Sequence, residues 1–163
     1  MGVALNNIEV GMGEGVVTTA PNVIASLGLG SCVAVALYDR QRKIGGLAHI
    51  MLPDSNSANG CHSPYHCADT AITALIKGMR GKGVSLQNVR AKMVGGAQMF
   101  ADYDVYQAGI GAQNIVSIKH LLARKRIPVT AEDTGGHYGR SIEFHLDSGK
   151  VLVRAIGKEA KEI

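Results

Sequence analysis

The fold is decided by the stretch Leu27-Gly28-Leu29-Gly30-Ser31-Cys32-Val33-Ala34-Val35-Ala36-Leu37-Tyr38, which a polar run at 39–43 and a second apolar run at 44–52 follow. Residues 32–38 carry apolar side chains on both faces, as a buried strand does. A polar break between two such runs favours an antiparallel hairpin. We therefore predict two paired strands, 32–38 and 44–52, in the middle of a sheet.

Shorter apolar runs and periodic segments on either side complete the predicted architecture. After a loop at 53–63, Ser63-Pro64 is typical of a helix start, and this helix is predicted to end near Gly78 or Gly81. Ile115, Ile118, Leu121 and Leu122 mark a second helix that ends in the basic run 124–126. Further strands are predicted at 16–19, 23–29, 89–94, 127–132, 141–146 and 151–155. The mixture indicates an α/β or α+β layered sandwich.

Length and composition favour one compact domain. The chain has 163 residues, of which 46% are apolar and 18% charged, so it can bury a core and is not typical of a disordered chain. We assign residues 1–157 to one domain and residues 158–163 to a charged, frayed tail.

The same composition argues against several classes of partner. No apolar run reaches the ~18 residues of a membrane span, and the first residues do not resemble a secretion signal. We therefore expect a cytoplasmic protein without membrane insertion. The net charge is only +4, aromatic residues make up 4% and Trp is absent, so no stacking surface for nucleic acid is expected. In a reducing compartment the three cysteines are expected to be free thiols.

Cys32 is a candidate nucleophile because it follows a glycine-rich turn. Such a turn can expose the thiol and direct backbone N–H groups at a developing oxyanion. A cysteine in an apolar strand can equally be a small buried side chain. The hairpin distinguishes the two: if it is symmetric about its polar turn, His49 lies opposite Cys32, where facing Cβ atoms are about 4.5–5.5 Å apart. His49 could then take the thiol proton and lower the pKa of the thiol.

Ser26 is a candidate third member of this arrangement. A tight turn at Gly28-Leu29-Gly30 would bring Ser26 back beside Cys32, where its hydroxyl could orient His49. The alternative is a serine bonded to local backbone.

Two other motifs suggest different chemistry. Cys61-His62-Ser63-Pro64-Tyr65-His66-Cys67 holds four side chains of types that bind zinc. Its spacing is not a standard zinc pattern, and exposed loop residues are the simpler interpretation. Gly28-x-Gly30 resembles the start of a dinucleotide loop, but Val33 stands at the third glycine, so no cofactor is expected. His137 and Tyr138 follow Gly135-Gly136, in either a substrate loop or a glycine turn.

Several of these motifs together resemble the CheD family of chemoreceptor glutamine deamidases, from about residue 9 to residue 157. The resemblance rests on Leu27-Gly28-Leu29-Gly30-Ser31-Cys32, Ala48-His49, Met51-Leu52-Pro53-Asp54, Ala68-Asp69-Thr70-Ala71, Gly95-Gly96-Ala97, Met99-Phe100, Ile110-Gly111-Ala112, Ala131-Glu132-Asp133-Thr134-Gly135-Gly136 and Gly149-Lys150-Val151-Leu152-Val153.

The resemblance implies an enzyme that hydrolyses glutamine side chains to glutamate on the cytoplasmic domain of methyl-accepting chemotaxis receptors. It implies that Cys32, His49 and Ser26 are the catalytic residues and that no cofactor or metal is needed. At the position of Ser26 the family often has Thr. The same machinery would open a glutamate methyl ester. It further implies a three-layer α/β sandwich of largely antiparallel sheet, similar to deamidating bacterial toxins, and a CheC-type phosphatase as partner. The alternatives are a protein that mainly regulates this phosphatase, and a zinc or redox module at 61–67.

Overall fold

The computed structural model describes residues 2, 4–56, 60–99 and 109–163. Phe100, one of the residues of the family resemblance, and residues 57–59 of the predicted loop lie outside the described residues. The strands are β1 (Asn7–Glu9), β2 (Gly15–Thr19), β3 (Val23–Leu29), β4 (Val33–Asp39), β5 (Ile44–Ile50), β6 (Val89–Gly95), β7 (Val129–Thr134), β8 (Arg140–His145), β9 (Val151–Arg154) and β10 (Lys161–Glu162). The helices are α1 (Ala68–Gly81) and α2 (Ile110–Arg124), with a short 3-10 turn at Leu86–Asn88.

The strands form two five-stranded sheets. The central sheet has the order β2-β5-β4-β6-β7, and the outer sheet has the order β1-β3-β8-β9-β10. Most neighbouring strands are antiparallel, while β1–β3 and β6–β7 are parallel. Because β6 and β7 run in the same direction, their connection must cross over, and it does so through α2.

Strand β4 shows how the layers are built, since both of its faces are buried. Val33, Val35 and Leu37 pack in the core shared with α1 and α2. Ala34 and Ala36 point to the other side and pack in the core between the two sheets. The layers are therefore helices, central sheet and outer sheet, which confirms the predicted three-layer α/β sandwich.

The β4–β5 hairpin forms as predicted, but its register differs. Asp39, which the sequence placed in the turn, is the last residue of β4 and pairs with Ile44. Its carboxylate accepts the N–H groups of Gln41 and Arg42, at 2.9 and 3.2 Å. This side chain organises a turn of residues 40–43 and moves the centre of the hairpin one position later. His49 consequently pairs with Ala34, and the prediction that it lies directly opposite Cys32 is wrong.

The predicted tight turn between β3 and β4 does not form a hairpin. Strand β3 belongs to the outer sheet and β4 to the central sheet, so residues 30–32 carry the chain from one layer to the other. A register shift between Ser26 and Leu29 accompanies Gly28, which has a φ of +66°, a backbone conformation that suits glycine.

Helix α1 begins at Ala68, later than the predicted start at Ser63-Pro64. The Ser63 hydroxyl bonds the carbonyl of Gly13 instead of capping the helix. The carbonyl of His66 accepts the N–H groups of Met51 and Leu52, at 2.9 and 3.1 Å. Residues 63–66 are therefore fixed against the end of β5 and cannot join the helix.

The prediction of a frayed C-terminal tail is wrong. Lys161 and Glu162 form β10, which pairs with Val153 and Leu152 of β9. Because β10 extends the outer sheet, the charged tail is part of the folded layer.

Candidate active site

The three predicted catalytic residues lie at one end of the space between the sheets. Ser26 is on β3 of the outer sheet, His49 is on β5 of the central sheet, and Cys32 ends the crossing between β3 and β4. Ser26 and His49 are fully buried and Cys32 is 9% exposed. The layered fold therefore brings together residues from two sheets that share no strand pairing.

The hydrogen bonds of Ser26 fix the tautomer of His49. The Ser26 hydroxyl has a single proton, which it donates to the carbonyl oxygen of Val10 at 2.8 Å. Its oxygen lies 2.9 Å from Nδ1 of His49, so this nitrogen must carry the proton and donate it. Nε2 is then the unprotonated nitrogen, and no described residue bonds it. His49 thus holds a buried free base ready to accept a proton.

Cys32 lies diagonally across from His49. Ala34 pairs with His49 and lies two positions after Cys32, so the side chains of Cys32 and His49 lie on the same face of the hairpin. Diagonal neighbours have backbone positions about 7–8 Å apart, within reach of long and aromatic side chains. The observed register thus moves the partner of His49 from Cys32 to Ala34, two positions along the strand. Because side chains alternate between the faces of a strand, Cys32 and His49 still share one face, as predicted.

Burial dominates the protonation of both residues. Burial raises the pKa of the Cys32 thiol above its ordinary 9.0, and a hydrogen bond from its own backbone N–H lowers it by less. Burial lowers the pKa of His49 below its ordinary 6.5, against smaller opposing effects of the Val10 backbone and the Glu14 charge. Both shifts favour the uncharged forms, a thiol on Cys32 and an imidazole on His49. The expected lowering of the thiol pKa by His49 is therefore wrong, because burial raises the pKa of Cys32 instead.

The end of β6 holds the crossing that carries Cys32. The N–H of Gly96 donates to the carbonyl of Cys32, and the N–H of Ala97 donates to the carbonyl of Gly30, each at 2.8 Å. Gly95 has a φ of +116°, and a Cβ there would lie 2.3 Å from the Cys32 carbonyl oxygen. The Gly95-Gly96-Ala97 motif thus lets β6 approach Cys32 closely.

A cavity of about 590 Å³ opens onto Cys32. Its lining joins the crossing, the end of β5, the 61–67 segment and the start of α2, and consists of Ser31, Cys32, Met51, Leu52, His62, His66 and Ile110. This volume is sufficient for an extended amide side chain such as glutamine.

A disulfide joins Cys61 to Cys67, with a Cα–Cα distance of 5.9 Å, and Cys32 is the free thiol. The expectation of three free thiols is wrong, because the bend at 61–67 brings the two sulfurs together. The disulfide also takes up two of the four side chains of the suggested zinc cluster. The rings of the other two, His62 and His66, meet edge to face at 5.1 Å. In the described residues no group of three His, Cys, Asp or Glu is placed to bind a metal ion.

The 135–138 loop has mainly structural contacts. The ring of Tyr138 lies 4.2 Å from the Arg140 guanidinium and 4.4 Å from the Lys158 ammonium. His137 Nδ1 lies 3.1 Å from the carbonyl oxygen of Gln98. These contacts favour the glycine-turn interpretation of the loop.

Sequence reasoning missed the backbone partners of the site. Val10 and Glu14 lie in the connection between β1 and β2. The Val10 N–H donates to the carbonyl of Ala25 in the outer sheet, at 2.8 Å. The Glu14 carbonyl accepts the N–H of His49 in the central sheet, at 3.0 Å. Backbone acceptors leave no pattern in side-chain types, so only the fold identifies them.

None of the described helices is long and apolar enough to cross a membrane.

Comparison with known proteins identifies relatives along nearly the whole chain. The family model of CheD chemotactic sensory transduction matches residues 51–155. A protein of Caldanaerobacter subterraneus is 42% identical over 159 residues, which cover 96% of this chain and 97% of the relative. A protein of Moorella thermoacetica is 44% identical, covering 96% and 95%, and one of Clostridium acetobutylicum is 40% identical, covering 98% and 96%. Each of the three is named "Probable chemoreceptor glutamine deamidase CheD".

Proposed function

The chain belongs to the CheD family, and we propose that it is a cysteine amidohydrolase that converts glutamine side chains of chemotaxis receptors to glutamate. The proposal takes its substrate from the names of the relatives. One observation carries the chemistry: the hydrogen bond from His49 to Ser26 leaves Nε2 unprotonated on the face that Cys32 shares.

The proposed reaction begins from the neutral pair. As the Cys32 sulfur attacks the carboxamide carbon, the thiol proton moves to Nε2 of His49, and the carbonyl electrons move to oxygen. His49 then gives this proton to the departing amine, so that ammonia leaves and a thioester remains. A water molecule, deprotonated by the same nitrogen, attacks the thioester and releases glutamate and the thiol. The net reaction consumes one water for each ammonia released.

The same steps apply to a glutamate methyl ester, in which methanol replaces ammonia as the leaving group. Methanol leaves more readily than an amine, so the site is proposed to open such esters as a side activity. Since the proposed substrate is the cytoplasmic part of a receptor, we also propose the cytoplasm as the site of action.

A CheC-type phosphatase is proposed as a partner on the basis of the family. Met99 is apolar and 43% exposed, and its side chain lies over Gly30, two positions before Cys32. A partner that covers Met99 would lie close to Cys32 and would hinder the approach of a receptor glutamine. The intact arrangement of Cys32 and His49 favours catalysis over a purely regulatory role.

The experiment uses a purified receptor cytoplasmic fragment, whose mass rises by about one dalton for each glutamine that is hydrolysed. Wild-type protein is expected to produce this shift with release of ammonia, and Cys32→Ala is expected to produce none. The matched control is Cys61→Ser with Cys67→Ser, which leaves the proposed nucleophile as the remaining thiol. An unchanged mass with wild-type protein, or a shift with Cys32→Ala, would refute the proposal.

A further inference from the structure

Asn114 on α2 is a buried amide that contacts both segments of the site. Its side chain is fully buried. Nδ2 donates to the carbonyl oxygen of Ser31 at 3.0 Å and to that of Met51 at 3.1 Å. Because both partners are acceptors, only the NH₂ end of the amide can face them. The chemistry of the partners therefore fixes the orientation of this side chain.

One of these bonds determines where the N–H of Cys32 points. The peptide that joins Ser31 to Cys32 is planar and trans, so its C=O and its N–H point in opposite directions. With the Ser31 carbonyl held by Asn114, the Cys32 N–H points away from α2. It contacts its own sulfur, an interaction that opposes the rise of the thiol pKa, and no oxygen of the described residues accepts it.

The other side of Cys32 is held as well. Its carbonyl accepts the N–H of Gly96 at 2.8 Å, so the peptides before and after the nucleophile are both fixed. The bond from Asn114 to Met51 connects this assembly to β5, two positions beyond His49. A rigid N–H beside the attacking sulfur meets the requirement for an oxyanion donor, which must be in place before charge develops.

We propose that Asn114 is a positioning residue that directs the Cys32 N–H at the oxyanion formed when the Cys32 thiol attacks a carbonyl. This inference deepens the proposed function, because it rests on Cys32 acting as the nucleophile of acyl transfer. It does not require that the substrate be a receptor.

The test compares two reactions of the same sulfur. Acylation by p-nitrophenyl acetate passes through a tetrahedral oxyanion, whereas alkylation by iodoacetamide displaces iodide at an sp³ carbon and forms none. Removal of an oxyanion donor costs about 10²–10³ in rate, and loss of its orientation is expected to cost at least about tenfold. Asn114→Ala should therefore lower the acylation rate at least about tenfold and change the alkylation rate less than about threefold.

The matched control is Ser117→Ala on the same helix. Ser117 also donates to a backbone carbonyl, that of Pro53, at 2.5 Å, but this bond does not hold the Cys32 peptide. All variants carry Cys61→Ser and Cys67→Ser, so that Cys32 is the single thiol. Asn114→Ser, which retains one donor, serves if Asn114→Ala does not fold, and it is expected to show a smaller loss of acylation in the same direction.

The outcomes separate this inference from the proposed function. A selective loss of acylation in the Asn114 variants, with Ser117→Ala at the wild-type ratio, supports the inference even if no receptor fragment is deamidated. Equal loss of both reactions, or loss of neither, would overturn it even if wild-type protein is an active deamidase. Wild-type Cys32 that is alkylated but never acylated would overturn both.

Discussion

Replacing Ser26 by Ala tests how the base is oriented. The substitution removes one hydroxyl and with it two buried hydrogen bonds, to the Val10 carbonyl (2.8 Å) and to His49 Nδ1 (2.9 Å). The imidazole then loses the contact that selects the tautomer with Nε2 unprotonated. A buried group without its partner costs about 1–3 kcal/mol, and each 1.36 kcal/mol in the activation barrier changes a rate tenfold. We expect kcat to fall by about 10- to 100-fold, with KM nearly unchanged.

The assay is the steady-state release of ammonia from a receptor fragment, together with the ¹⁵N NMR shifts of the His49 ring. The wild-type shifts should show a protonated Nδ1, and Ser26→Ala should show a mixture of tautomers. Ser26→Thr retains the hydroxyl and should retain activity. Ser141→Ala is the matched control, because Ser141 is on the neighbouring strand and its hydroxyl accepts the Gly28 N–H at 3.4 Å instead of contacting His49. Full activity and an unchanged tautomer in Ser26→Ala would refute this role.

Four further predictions concern pH, the backbone and the redox state. The value of kcat/KM should stay constant over a pH range that extends below 6.5 and above 9.0. The lower end follows because burial lowers the pKa of His49, and the upper end follows because burial raises the pKa of Cys32. A fall of kcat/KM between pH 6.5 and pH 9.0 would contradict a neutral thiol paired with a neutral imidazole. The same pKa shifts predict that the free energy of unfolding declines below pH 6.5, because His49 gains a proton in the unfolded chain before it does so in the folded protein. It also declines above pH 9.0, because Cys32 loses its proton first in the unfolded chain. Urea titrations at a series of pH values measure both declines. Gly95→Ala should reduce both activity and the urea midpoint, since its Cβ would lie 2.3 Å from the Cys32 carbonyl oxygen, and a fully active, equally stable variant would refute the close approach. Reduction of Cys61–Cys67 should lower the free energy of unfolding by about 2 kcal/mol, the loop-closure value for a ring of this size, and an unchanged urea midpoint under reductant would contradict it.

The layers and most strands follow from sequence because their signal is local. Strand β3 occupies the predicted residues 23–29, and β4 is buried on both faces as its apolar run predicts. The contact between the Ser26 hydroxyl and His49 was also predicted and is present, although it forms between two sheets and not within a hairpin. The catalytic roles of these residues stay predictions.

The remaining features depend on contacts between distant segments. The register of the hairpin differs from the prediction because the Asp39 carboxylate holds the turn from the last position of β4. From sequence alone, a polar residue beside a turn can be either the last residue of the strand or the first residue of the turn. Asn114 is 83 positions from Ser31 in sequence, so no local pattern links it to the site. Helical spacing could have suggested it, because Asn114 and Ile118 lie four apart and both are buried, and a buried amide requires partners.

The pKa of the thiol is a further property that the order of residues did not predict. A cysteine near a histidine suggests a thiolate, but the pKa depends on whether water reaches the sulfur. The inter-sheet position of Cys32 makes burial the larger effect, and this position results from the crossing at 30–32. The proposed nucleophile is therefore protected at rest, and the proposed mechanism activates it by proton transfer during attack.

The central claim, that His49 activates Cys32, is tested most directly by the alkylation rate of Cys32 against pH. Iodoacetamide is applied to wild-type protein and to His49→Ala, each with Cys61→Ser and Cys67→Ser. At pH 7 the wild-type thiol should react at least about tenfold faster, because Nε2 accepts the proton as sulfur attacks. The two curves should converge well above pH 9, where the thiolate forms without a base. Curves that superimpose from pH 6 to pH 10 would contradict the assignment of His49 as the base.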